Sequence, residues 1–355
     1  MLYQLVIPSA TNRSMNIHLL TKALKHGTQL VIVALMSITL PAAAQTKAKA
    51  TKPKETKPQV APKVTPTTGY AASVPMPTAT EVRYGPHQRN VLDFWKAESD
   101  QPTPLVFVIH GGGWVAGEKE RVDRFVDVSA LLKSGISVVA INYRYTKQAE
   151  GVTPPVKAPM DDCARALQFV RSKAKEWNLD KNRVGAAGGS AGACSSLWLA
   201  FHNDLADPKS ADPIARESTR LQCAAVMGPQ TSLDPQQMKE WTPNSSYGGH
   251  AFGFASFAEF LAGREKILPL IAEYSPYALV SADDPPVYLS FTVPPGLGQK
   301  QKDPTHTANF GVKLQEHCVA NKVPCELVYP SAPNVKHASP TDYLIEMLKT
   351  KSLIK

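Results

Sequence analysis

From about residue 81 onward the chain predicts an α/β fold, a mostly parallel sheet flanked by helices. Three observations carry this: short apolar runs recur along the chain, longer amphipathic segments separate them, and no internal repeat is present. The runs fall at 91–97, 104–110, 136–143, 183–189, 223–229, 285–291 and 325–330. Most are continuously apolar rather than alternating, as expected of strands covered on both faces.

Helices are predicted near 120–134, 160–176, 191–203, 307–321 and 339–350. The clearest is "DDCARALQFVRSKAKEW", where Ala164, Leu167, Phe169, Val170 and Ala174 form an apolar stripe and Asp161 and Asp162 lead in. Residues 230–275 break the alternation with a segment rich in Trp, Phe, Tyr, Gly and Pro. Lying between two strands, it predicts a cap over the ends of the sheet. Its aromatics Trp241, Tyr247, Phe252, Phe254, Phe257 and Phe260 are expected to pack the cap onto the body, or else to line a pocket.

The N-terminal region has a different character. Lys22 and Lys25 precede an apolar run from about Leu30 to Leu40, and Ala42 and Ala44 follow at small-residue spacing. Residues 1–44 therefore read as a secretory signal peptide, with Met15 an alternative start. The run is too short to span a bilayer comfortably. Residues 45–80 hold Lys, Pro, Thr and Ala with little to bury, which predicts a semi-extended tether before a domain over 81–355. The 355-residue chain carries a net charge of +9, of which +8 lies in residues 1–80. The basic balance thus serves the tether's solubility and reach, with weak attraction to an anionic cell envelope as the alternative. It does not mark a nucleic-acid-binding face.

The five cysteines allow at most two internal disulfides. Cys318 and Cys325 are the best-placed pair, and Cys194 has Cys163 or Cys223 as partner or is packed as a thiol. No spacing matches a zinc site.

Two stretches carry chemistry. In "RVGAAGGSAGACSSLWLAF" (183–201) a strand-like run passes through small residues into a helix, with Ser190 between Gly188-Gly189 and Ala191-Gly192. A serine on a sharp strand-to-helix turn exposes its hydroxyl, and the new helix's N–H groups face any charge that develops there. In "VFVIHGGGWVAG" (106–117) a buried strand runs into His110-Gly111-Gly112-Gly113-Trp114. Consecutive glycines let backbone N–H groups approach a substrate oxygen. Neither a G-K-[ST] nor a G-x-G-x-x-G pattern accompanies them, which argues against a phosphate loop.

Together these motifs resemble the α/β-hydrolases, closest to the hormone-sensitive-lipase-like and related bacterial carboxylesterases, over roughly residues 82–350. The resemblance implies a serine carboxylesterase that hydrolyses small to medium acyl esters through an acyl-enzyme. By analogy the N–H groups of Gly112, Gly113 and Ala191 form the oxyanion hole, and His110 shapes the loop. The family's chain order of Ser, acid, His implies His337, after the last strand, as the base. Asp303, the carboxylate between the 285–291 strand and the next helix, is implied as the acid, although the family's G-x-x-D-x-x-V-P stretch is missing. Asp283 and Asp284 precede that strand and are expected at the opposite edge of the sheet. His306 is expected to be a loop or helix-start residue, and Trp114 to touch substrate. No metal or organic cofactor is implied. Export would suit a small-molecule or polymer-borne substrate, such as acetyl or feruloyl side groups of polysaccharide. A non-enzymatic binding protein on the same fold and a serine peptidase are the alternatives.

Overall fold

The computed structural model describes residues 69–349. The expected signal peptide, the alternative start at Met15 and most of the expected tether lie outside the described residues. The strands are β1 (Ala79–Arg83), β2 (Val91–Trp95), β3 (Thr103–Ile109), β4 (Ser137–Ile141), β5 (Leu179–Gly189), β6 (Cys223–Met227), β7 (Val287–Ser290) and β8 (Cys325–Val328). They form one sheet in the order β1-β2-β4-β3-β5-β6-β7-β8, with β1 and β2 antiparallel to their neighbours and every later pair parallel.

The helices are α1 (Val128–Lys133), α2 (Lys157–Ser172), α3 (Ala174–Trp177), α4 (Ala191–Phe201), α5 (Pro235–Trp241), α6 (Phe257–Ala262), α7 (Leu268–Tyr274), α8 (Pro276–Leu279), α9 (Asn309–Ala320) and α10 (Pro340–Lys349). Strand β3 shows why they cover both faces. Side chains alternate across a strand, so Leu105, Phe107 and Ile109 enter one core with Leu167, Leu197 and Leu314 of α2, α4 and α9. Val106 and Val108 enter the other with Leu131 of α1 and Leu344 and Leu348 of α10. Each such fully buried side chain contributes about 1.5–3 kcal/mol.

Two expectations are corrected. Residues 69–80 do not all behave as tether. Tyr70 donates to Asp93 Oδ2 at 2.6 Å, Val74 is buried, and the Trp95 indole donates to the Pro75 carbonyl at 2.7 Å. Strand β1 begins at Ala79; a short, polar edge strand carries too weak an apolar signal to be read in advance. The cysteines are all thiols, including Cys318 and Cys325, and all but Cys325 are buried. They serve as small apolar packing groups.

Segment 235–279 between β6 and β7 carries the short helices α5 to α8. Trp241, Phe252 and Phe260 are buried in the main core, and Tyr247, Phe254 and Phe257 pack against it.

Candidate active site

Ser190 sits between β5 and α4 with φ 53° and ψ −121°, a backbone state that L-residues rarely adopt. Its amide donates to the Met227 carbonyl at 2.9 Å, which ties the turn to the end of β6. The small neighbours are required. A Cβ on Gly192 would overlap the Ile109 carbonyl oxygen at the end of β3, so only glycine lets α4 start this close to the sheet.

The Ser190 hydroxyl donates to His306 Nε2 at 2.9 Å, and His306 Nδ1–H donates to Asp303 Oδ2 at 2.8 Å. By geometry it is His306, and not His337, that meets the serine. Asp303 and His306 come from a single segment, three residues apart. Asp303 Oδ1 accepts the amides of Thr305 and His306, each at 3.1 Å, a local turn that fixes the carboxylate beside the ring. Partial burial opposes the Asp303 charge, but the hydrogen bond and charge of His306 and the two amides outweigh it and hold the carboxyl below its usual range.

Three contacts hold this segment in place. Gly228, at φ 56°, leaves the space that the His306 ring fills, Gln230 Nε2 donates to the Thr305 carbonyl at 2.8 Å, and Asn309 Nδ2 donates to Trp241 and Thr242 at 2.8 and 2.9 Å. Farther back along the loop, Asn244 and Gln301 exchange hydrogen bonds at 2.8 and 2.9 Å. The insertion between β6 and β7 thus braces the loop that carries Asp303 and His306.

His337 has other partners. Its Nδ1 donates to Glu326 Oε2 at 2.6 Å and its Nε2 faces Glu346 Oε2 at 3.1 Å. Glu326 Oε1 also accepts the amides of Lys336 and His337. The ring is buried and joins β8 to α10. Two carboxylates, one on each side, fix its orientation. Trp114 is also displaced from the expected role. It is fully buried, and its indole donates to Ser195 Oγ at 3.0 Å. A φ of 57° at Trp114 turns the residue inward instead of toward substrate. Asp283 and Asp284 pair with Arg220 ahead of β7, away from the serine.

The glycine loop is built from behind. His110 donates from Nδ1 to the Gly111 carbonyl at 2.7 Å and accepts from Arg89 at 3.3 Å. Burial, reinforced by Arg89 and Arg121, pushes its pKa down to about 3, so it is neutral and structural. Gly112 borders the cavity with Ser190, His250 Nε2 donates to the Gly113 carbonyl at 2.8 Å, and Ala191 opens α4. The cavity measures about 960 Å³ and is walled by Phe125, Met227, Tyr288 and Phe291 among others. None of the six cap aromatics lines it.

Among the described residues, the carboxylates of Glu81, Asp93 and Glu120 converge. Lys119 Nζ occupies their centre, at 2.5, 3.3 and 2.5 Å. No helix among the described residues is long and apolar enough to cross a membrane.

The chain is similar to an acetyl esterase of Salmonella schwarzengrund, 30% identical over 107 residues, which are 28% of this chain and 31% of that protein. It spans about a third of the length of the curated relatives it matches. Among solved structures, it resembles an acetyl ester-xyloside bifunctional hydrolase from Caldicellulosiruptor lactoaceticus, with a TM-score of 0.51 and 24% identity over 73% of this chain and 85% of that one. It also resembles Thermogutta terrifontis esterase 2 phosphonylated by sarin, with a TM-score of 0.55 and 20% identity over 72% and 84% of the two chains. These likenesses show an α/β-hydrolase fold. The BD-FAE family model matches residues 92–292, more than half of the sequence, and the chain belongs to the BD-FAE family.

Proposed function

We propose that this protein is a serine hydrolase of carboxylic esters that works through an acyl-enzyme. The observation that carries the proposal is the chain of two hydrogen bonds from Ser190 through His306 to Asp303 at the wall of a cavity. In this mechanism His306 Nε2 takes the hydroxyl proton as Ser190 Oγ attacks the acyl carbon. The N–H groups of Ala191, Gly112 and Gly113 receive the oxyanion, reinforced by the positive end of α4. The imidazolium, oriented and stabilised by Asp303, then protonates the departing alcohol. Water that loses its proton to His306 releases the acid and restores Ser190.

The substrate class that suits this reading is an acyl ester carried by a saccharide polymer, in keeping with the acetyl ester-xyloside hydrolase the chain resembles. Export to the periplasm or beyond is part of the proposal. It is supported by Lys22 and Lys25 ahead of the apolar run and by Ala42 and Ala44 after it.

The test is fluorophosphonate labelling with peptide mapping, run beside p-nitrophenyl acetate, butyrate and octanoate. A single adduct on Ser190, with turnover lost in Ser190→Ala, is expected. A folded protein with neither adduct nor turnover would favour a binding function on the same fold.

A further inference from the structure

Two guanidinium groups share the cavity wall with the serine. Arg121 and Arg124 both line it, and both are exposed. Among the described residues neither makes an ion pair; Asp123, between them in sequence, is exposed and does not line the cavity, and two other acidic neighbours are committed elsewhere. Glu120 is bound to Lys119, and Asp127 accepts the Ala130 amide as the cap of α1. Glu118 also lines the cavity, and it makes no ion pair with either arginine. Asp303 is held by His306. Arg121 lines the same cavity as Ser190 and His306.

A guanidinium offers paired donors in a plane that match a carboxylate, and Phe125, Met227 and Phe291 add apolar walls to the same cavity.

We propose that Arg121 and Arg124 bind a carboxylate carried by the ester substrate, an inference that rests on the serine-hydrolase reading. The carboxylate belongs either to the acyl chain, as in a half-ester of a dicarboxylic acid, or to the sugar that bears the ester, as in an acylated uronate.

Two pairs of substrates separate these sources. The mono-p-nitrophenyl ester of adipic acid is compared with p-nitrophenyl hexanoate, and an acetylated oligogalacturonide with an acetylated xylo-oligosaccharide. In at least one pair kcat/KM should favour the anionic member about tenfold or more. In Arg121→Gln/Arg124→Gln that ratio should fall close to one. In the unaltered protein, which removes any question of folding, 0.5 M NaCl should shrink the ratio severalfold. No anionic preference in either pair overturns the inference while the hydrolase stands. So does a preference that survives both the double substitution and salt. Absence of turnover on every ester, with no adduct on Ser190, overturns the hydrolase itself and this inference with it.

Discussion

The 2.6 Å hydrogen bond from His337 Nδ1 to Glu326 Oε2 commits the histidine after the last strand to the structure and leaves the serine to His306. Activity and stability should therefore separate. His306→Ala should lower kcat by about 10⁴-fold with the melting transition nearly unchanged. His337→Ala should keep activity within a few-fold and lose about 2 kcal/mol, because Glu326 and Glu346 lose their shared partner. Ester assays and urea unfolding on both variants check this, and a dead but stable His337→Ala would reverse the assignment.

Asp303 acts through His306, so Asp303→Asn should cost about 10²–10⁴ in kcat, chiefly by losing the ring's orientation. The Asp303 side chain is 56% exposed, and solvent shares the work of stabilising the imidazolium, which favours the lower end of that range. Asp283→Asn, beside Arg220 at the other end of β7, should leave kcat within about twofold. Steady-state kinetics on the two variants decides it.

How far the sequence revealed this molecule follows from what each signal measures. Continuous apolar runs such as 104–110 and 183–189 report burial on two faces, and they fell on β3 and β5. The glycines around Ser190 report close backbone approach, and the turn is there. The partner histidine depends on a loop's path, which periodicity does not encode. Chain order pointed to His337, while the available clue was the three-residue spacing of Asp303 and His306, enough for one turn to hold both. Glu326 and Glu346, which hold His337, lie 11 and 9 residues from it along the chain and become neighbours only once β8 and α10 pack. Trp114 misled for a related reason: adjacency to a loop's glycines says nothing of which way a residue at positive φ will turn.

His110 makes the fold sensitive to acid. Its folded pKa of about 3 lies below the ordinary 6.5, so the unfolded chain binds a proton that the folded protein refuses. The stabilisation from keeping this ring neutral is fully present above about pH 6.5 and is lost as pH falls toward 3, at up to about 1.4 kcal/mol per unit. Urea unfolding at pH 7.5, 5.5 and 4.5 should show a shallower decline in His110→Asn than in the parent. Equal slopes would sink the claim.

The backbone at Ser190 carries strain that alanine retains and glycine relieves. Ser190→Ala and Ser190→Gly should both be inactive, yet Ser190→Gly should be more stable by about 1 kcal/mol, the scale of a non-glycine residue held in a sparsely populated region. Glycine also gains freedom in the unfolded chain, which offsets part of that difference. Denaturant unfolding of the pair provides the measurement, and a less stable Ser190→Gly would mean that the turn stores little strain.

The last prediction concerns the brace between cap and catalytic loop. Asn244 donates to the Gln301 carbonyl and accepts its amide, and the Gly298 amide donates to the Trp241 carbonyl at 3.0 Å. These bonds fix the loop two residues ahead of Asp303, while none of the residues involved lines the cavity. Loosening them should displace acid and base together, because both ride on the same segment, and leave the substrate walls in place. Asn244→Ala should therefore lower kcat by about tenfold with little change in KM, and Asn244→Asp should recover only part of it, since a carboxylate keeps the acceptor and loses the donor. A raised KM at unchanged kcat would instead assign Asn244 to substrate binding and detach the cap from the chemistry.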